Sequence, residues 1–170
     1  MIVALDKDLN RIHVEDAVAK QECYCPYCGE RLFQRKGEIR RHHFAHMPGK
    51  VCKDTWEATY DMSDWHYDWQ NSFPKANQEV LLSMGEIKHR ADVLIGRTVT
   101  EFQRSNMATK TFSDRNSFYF NLGYKVVWVF DLREHFASSR LQCDSDGKTF
   151  HWTKPRNTFK GIREIKNFKE

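Results

Sequence analysis

His89-Arg90-Ala91-Asp92-Val93-Leu94-Ile95-Gly96-Arg97-Thr98-Val99-Thr100-Glu101-Phe102-Gln103 is the stretch that decides the fold. Ala91, Val93 and Ile95 alternate with Asp92 and Leu94, the period of a half-buried strand. Thr98 to Gln103 reads as a second strand, and Gly96-Arg97 as the turn between them. Glycine first in a two-residue loop fits a type II′ turn. That turn sets Asp92 directly opposite Glu101, with Gln103 on the same side two residues on. Like charges opposed across a hairpin are destabilising. A divalent cation relieves them, and magnesium or manganese, held by one or two carboxylates and a phosphate oxygen, suits such a site. The plainer alternative is an exposed hairpin whose acids pair with Arg90 or Arg104.

Working outward, Glu79 to Met84 reads as a strand that turns at Gly85 into Ile87–Ile95. A helix is expected from Asp64 to Phe73, with Ser63 as its N-cap and Pro74 as its stop. It carries His66, and Trp65 and Trp69 share one of its faces. A second helix runs from Thr109 or Thr111 to Leu122, with Phe112, Arg115, Tyr119 and Leu122 on one stripe and Gly123 past its end. The apolar run Tyr124 to Phe130 reads as a buried central strand. Ser139 to Cys143 and Lys148 to Trp152 form a last hairpin, and Asn157 to Phe168 a short basic helix. Residues 56–170 therefore read as an α/β domain, a mixed sheet flanked by helices.

Residues 1–55 read differently. Ile2–Leu5 and Arg11–Val14 make a hairpin, and Glu30–Lys36 and Glu38–Ala45 make another around Lys36-Gly37. The segment is rich in arginine and poor in aliphatic residues, so a staple in place of a large core is expected. Cys25-Pro26-Tyr27-Cys28-Gly29 is a zinc knuckle: two thiolates two residues apart grip one ion. A Lys36-Gly37 turn would place His46 opposite Tyr27 and His43 opposite Glu30. His46 and Cys52 are the expected third and fourth ligands, with His43 the substitute for either. Structural zinc on four of Cys25, Cys28, His43, His46 and Cys52 follows, forming a small N-terminal zinc β-ribbon.

The chain has 170 residues, 40% hydrophobic and 29% charged, which excludes a disordered or low-complexity protein. Net charge is +3 over residues 1–53, −3 over 54–153 and +4 over 154–170. Two basic flanks around an acidic centre suit a metal site whose edges meet a polyanion, although a solvated surface explains them too. No apolar run approaches the roughly 18 residues of a membrane span. The start, Met1 to Asp6, is too short and too soon acidic for a secretion signal, so a cytoplasmic protein is expected.

The order of motifs resembles the competence protein CoiA-like nucleases. Cys25-Pro26-Tyr27-Cys28 is followed by His43-Phe44-Ala45-His46, then Ser63-Asp64-Trp65-His66-Tyr67-Asp68-Trp69-Gln70. His89-Arg90-Ala91-Asp92-Val93, Glu101-Phe102-Gln103-Arg104-Ser105, Arg115-Asn116-Ser117-Phe118-Tyr119 and Val127-Trp128-Val129-Phe130-Asp131 complete it. Asp92…Glu101-Phe102-Gln103 also looks like the core of the PD-(D/E)xK nucleases, with glutamine where lysine is usual. The resemblance implies a restriction-endonuclease-like core and metal-dependent hydrolysis of DNA phosphodiesters, in DNA uptake or recombination, repair or defence against foreign DNA. Asp92 and Glu101 would hold the magnesium or manganese ion, Gln103 would replace the lysine that orients water, and His66 would help activate it. Arg115 and Tyr119 resemble a pair that steadies the site or touches phosphate. Arg35, Lys36, Arg40 and Arg41 on the ribbon, with Lys154 and Arg156 on the tail, would follow the DNA backbone. A non-catalytic zinc-ribbon binder of nucleic acid is the rival reading. Whether the chain acts as a homodimer or with a partner protein stays open.

Overall fold

The computed structural model describes residues 1–50, 52, 63–147, 150–153 and 155. The expected tail helix, Lys154, Arg156 and the 53–60 boundary lie outside the described residues. By contacts the chain divides into two compact units, Met1–Gly96 and Arg97–Glu170.

The first unit opens with a five-stranded sheet in the order β2-β1-β3-β4-β5. Its strands are β1 (Val3–Leu5), β2 (Arg11–His13), β3 (Cys23–Tyr24), β4 (Arg31–Arg35) and β5 (His43–Ala45). Asp6 closes the β1–β2 turn by accepting the amides of Asp8 and Asn10, each at 2.9 Å. The second hairpin departs from expectation. Arg35 pairs with His43 and Phe33 with Ala45, so residues 36–42 form a long loop in place of a tight Lys36-Gly37 turn. His43 therefore faces Arg35 and not Glu30. The ribbon also has more core than its composition suggests. Met1, Ile2, Val3, Ala4, Val14, Leu32 and Phe44 are buried together with Cys23 and Cys25, and Tyr67 packs against them.

Helix α1 (Asp64–Asn71) starts where predicted: the Ser63 hydroxyl accepts the His66 amide at 3.3 Å. A short 3-10 turn at Lys75–Asn77 leads into β6 (Gln78–Met84), which pairs antiparallel with β7 (Ile87–Ile95). The ladder passes from Gln78 opposite Val93 to Val80 opposite Ala91, with Glu79 between them at φ +45°. That left-handed backbone is costly for a residue with a Cβ. Here it accompanies a long-range bond: the buried Glu79 carboxylate accepts the amides of Ile2 at 2.8 Å and Val3 at 3.1 Å. Further ties join the ribbon to the same elements. Arg41 bonds Asp64 and Asp68 and lies over the Tyr67 ring, Arg11 bonds the carbonyls of Ala76 and Gln78, and Lys88 of β7 bonds the Tyr27 carbonyl.

In the second unit β8 (Thr98–Gln103) runs parallel to β9 (Lys125–Phe130), joined by α2 (Thr109–Asn121). Phe112 of α2 packs on Trp128 at 4.9 Å between ring centres, and Trp128 stacks on Phe130. α3 (Arg133–Ala137) and the hairpin of β10 (Leu141–Cys143) with β11 (Phe150–Trp152) follow. The mixed sheet has the order β6-β7-β8-β9. Among the described residues β9 is thus an outer strand, not the central one its apolar run suggested, and Val127 is 47% exposed. An unbroken apolar run marks burial on one face by a helix as readily as a central position. Loop 95–98 has the expected form: Gly96 sits at φ +56° and Arg97 is not in the left-handed region, as a type II′ turn requires.

Candidate active site and metal centre

Cys25, Cys28, His46 and Cys52 converge, their ligand atoms all within 4.8 Å of one another. Cys25 Sγ lies 4.0 Å from Cys52 Sγ, and Cys28 Sγ 3.2 Å from His46 Nε2. The knuckle is shaped locally: the Gly29 amide donates to the Cys25 carbonyl at 2.9 Å with Gly29 at φ +75°, and the Tyr27 amide points at Cys25 Sγ at 3.4 Å. Burial pushes the Cys25 thiol well above its ordinary range, against the amides of Cys28 and Tyr27, which favour the thiolate. Three sulfurs and one imidazole at this spacing suit a tetrahedral zinc with bonds of about 2.0–2.3 Å, so the donor set fits the ion. His43 is not in the group. Its Nδ1 is 2.8 Å from the Arg41 carbonyl, a consequence of the longer loop.

The carboxylates sit in contrasting settings. On β7, Asp92 Oδ1 is 3.3 Å from His66 Nε2, and the two side chains are 14% and 13% exposed. One turn further along α1, the buried Gln70 donates from Nε2 to the Asp92 carbonyl at 2.8 Å. Gln70 thereby fixes the strand at the residue where the β6 ladder skips Glu79. Its spacing of four from His66 is the signal that it shares that face, although no role was read for it in the sequence.

On β8, Glu101 is 1% exposed. Arg115 Nη1 reaches its Oε2 at 3.2 Å and the Tyr119 hydroxyl donates to its Oε1 at 2.5 Å. Both donors come from one face of α2, four residues apart. Arg115, expected to steady the site or to touch phosphate, is 3% exposed and turned inward on Glu101. Gln103 is buried, and its Nε2 donates to the Ser105 carbonyl and hydroxyl at 2.7 and 3.0 Å. Its nitrogen is thus committed to the loop after β8. Among the ribbon cations, Arg35 and Arg40 are exposed. Lys36 bonds the Ala17 carbonyl at 2.6 Å, and Arg41 is held between Asp64 and Asp68, so these two anchor the ribbon itself.

Two family models match the chain. The one for the competence protein CoiA nuclease-like domain matches residues 63–160, and the one for the competence protein CoiA N-terminal domain matches residues 7–54. The chain belongs to the competence protein CoiA family. The CoiA N-terminal match spans Cys25, Cys28, His46 and Cys52, and the CoiA nuclease-like match spans His66, Asp92, Glu101, Gln103, Arg115 and Tyr119. No curated protein and no solved structure gives a match. No helix among the described residues is long and apolar enough to cross a membrane.

Proposed function

We propose that this CoiA-family chain is a metal-dependent deoxyribonuclease that hydrolyses DNA phosphodiester bonds, with a structural zinc on Cys25, Cys28, His46 and Cys52. The observation that carries the reading is the treatment of Glu101: a carboxylate 1% exposed that accepts hydrogen bonds from an arginine and a tyrosine. A fold that needed only packing would place an apolar residue there, because burying an ion pair is at best neutral for stability. The two-residue turn at Gly96-Arg97 supports pairing Glu101 with Asp92 across the hairpin, and two acidic oxygen donors suit magnesium or manganese. A bound divalent ion there would lower the pKa of a water and offset the charge of the phosphate.

This chain's own residues supply the rest. Arg115 and Tyr119 orient Glu101 from one face of α2. His66, next to Asp92, steadies that carboxylate and offers a site for the proton released from water. Gln70 keeps Asp92 in register by holding its carbonyl. Gln103 carries no charge and titrates nothing, so the lysine role familiar from PD-(D/E)xK enzymes does not pass to it. Exposed Arg35 and Arg40, with Lys154 and Arg156 of the tail, would position the DNA backbone.

The test is cleavage of supercoiled plasmid and of single-stranded DNA with magnesium or manganese, by the native chain and by Asp92→Ala and Glu101→Ala. Metal-dependent cleavage abolished by each substitution is expected. Activity surviving both would trace to another protein or site. DNA binding without cleavage in either metal would leave the non-catalytic binder, and a parallel RNA panel fixes the substrate sugar.

A further inference from the structure

At the C-terminal end of α2, the second unit has an open groove of about 830 Å³, lined by Ser117, Phe120, Asn121, Tyr124 and Lys125 among others. Phe120 is 77% exposed, although its neighbours Phe118 and Tyr119 are buried. The helix needs its buried stripe for packing, so Phe120 is turned to solvent.

Lys125 lines this groove, and Arg97 lies against its Gly123. Lys125 begins β9 and Arg97 precedes β8, and the Lys125 amide donates to the Arg97 carbonyl at 2.8 Å, so they start neighbouring parallel strands. Arg97 Nε donates to the Gly123 carbonyl at 3.3 Å, which holds the guanidinium against the groove's glycine. Gly123 is at φ +79°, and a Cβ there would lie 2.7 Å from Arg97 Nη2, so glycine both makes the bend and admits the guanidinium. No carboxylate lines the groove, and neither cation forms an ion pair among the described residues. Two cations near one groove that no carboxylate lines favour an anion there.

We infer that this groove binds a single-stranded nucleic-acid segment, with an unpaired base on Phe120 and Tyr124 and its phosphates on Arg97 and Lys125. A stacking surface beside a pair of cations matches the chemistry of an exposed base and its backbone. Bases inside a duplex are stacked on each other and cannot reach Phe120. Asn121 and Ser117 offer donors and acceptors to the base edge without selecting one base. The volume lies within the roughly 300–1,000 Å³ of ligand clefts. The inference extends the nuclease reading to strand capture, but it holds whether or not Asp92 and Glu101 cut.

The experiment is equilibrium binding of fluorescein-labelled oligothymidylate, oligouridylate and a DNA duplex to the full chain, without added magnesium or manganese. Phe120→Ala should weaken single-strand binding about tenfold, the scale of one lost stack, with an unchanged melting temperature because the ring is exposed. Phe120→Trp should restore it. Lys125→Glu should weaken it and flatten its salt dependence. The tighter of the two single strands names the natural sugar. Single-strand binding unchanged in both Phe120→Ala and Lys125→Glu would overturn the site. So would equal losses for single strand and duplex, or a dimer in solution that Phe120→Ala dissolves while oligonucleotide binding persists. Asp92→Ala protein separates the two readings: it should keep Phe120-dependent binding even where cleavage proves absent from every variant.

Discussion

Asp92 and Glu101 are acids on strands consecutive in sequence, yet their surroundings are opposite. Asp92 is partly open to solvent and has a histidine beside it, while its backbone is gripped by a buried glutamine. Glu101 is sealed, with an arginine and a tyrosine on its two oxygens. The difference separates function from stability. Neutralising Asp92 removes a charge that water partly solvates. Neutralising Glu101 also removes the buried charge that Arg115 pairs with.

The sharpest way to break this comparison is the isosteric pair. Asp92→Asn and Glu101→Gln should each reduce plasmid cleavage on the order of a thousandfold, since each removes charge from the proposed metal site. Only Glu101→Gln should also lower the chemical-denaturation midpoint, because a buried pair that loses one partner costs about 3–5 kcal/mol. Equal stability of the two variants would refute the contrast. Arg115→Ala approaches it from the other side and should cost a similar amount, read in urea at constant slope. Removing one thiolate from the metal group, as in Cys28→Ser, should drop bound zinc well below the about one ion per chain expected of the native protein, measured by atomic emission. Native protein with less than half an ion per chain would reject the zinc assignment itself. Tyr119→Phe is milder: loss of one donor to a buried carboxylate should cost about 1–3 kcal/mol and lower activity less than Glu101→Gln does.

The smallest effect concerns pH. Burial holds the His13 imidazole below its ordinary value, with Lys75 adding to the effect and Asp16, Glu15 and Glu79 opposing it. The folded protein therefore keeps the ring neutral where the unfolded chain takes up a proton. Its contribution is fully present above about pH 6.5 and is lost as pH falls below that value. The melting temperature should decline modestly between pH 7.5 and 5.5, and His13→Gln should flatten the decline. Asp131, held below the usual carboxylate range by Arg133, titrates too low to account for it.

Much of the site's local logic was legible in sequence because it rests on short spacings. Cys25 and Cys28 form a knuckle on their own, Gly96 marks a tight turn, Ser63 caps a helix, and Arg115 and Tyr119 share a face by helical period. What was not legible depends on register or on distance along the chain. The β4–β5 loop was read as two residues because Lys36-Gly37 looks like a turn, yet the pairing of Arg35 with His43 sets it at seven and removes His43 from the cluster. The stripe of α2 places Arg115 beside Phe112 and Tyr119, but whether it steadies the site or reaches phosphate depends on a partner fourteen residues earlier, which the stripe does not name. The apolar strand 125–130 misled in the same way, since composition does not tell which strand lies outermost.

The bond from Glu79 to the amides of Ile2 and Val3 carries a practical warning. During synthesis the first strand emerges long before the carboxylate that completes it. A fragment cut near residue 55 would own every thiolate of the cluster and still lack the acceptor for two backbone amides of its first strand. Anyone expressing the amino-terminal piece alone should expect a molecule missing a seam, and should extend it past Glu79 to close it.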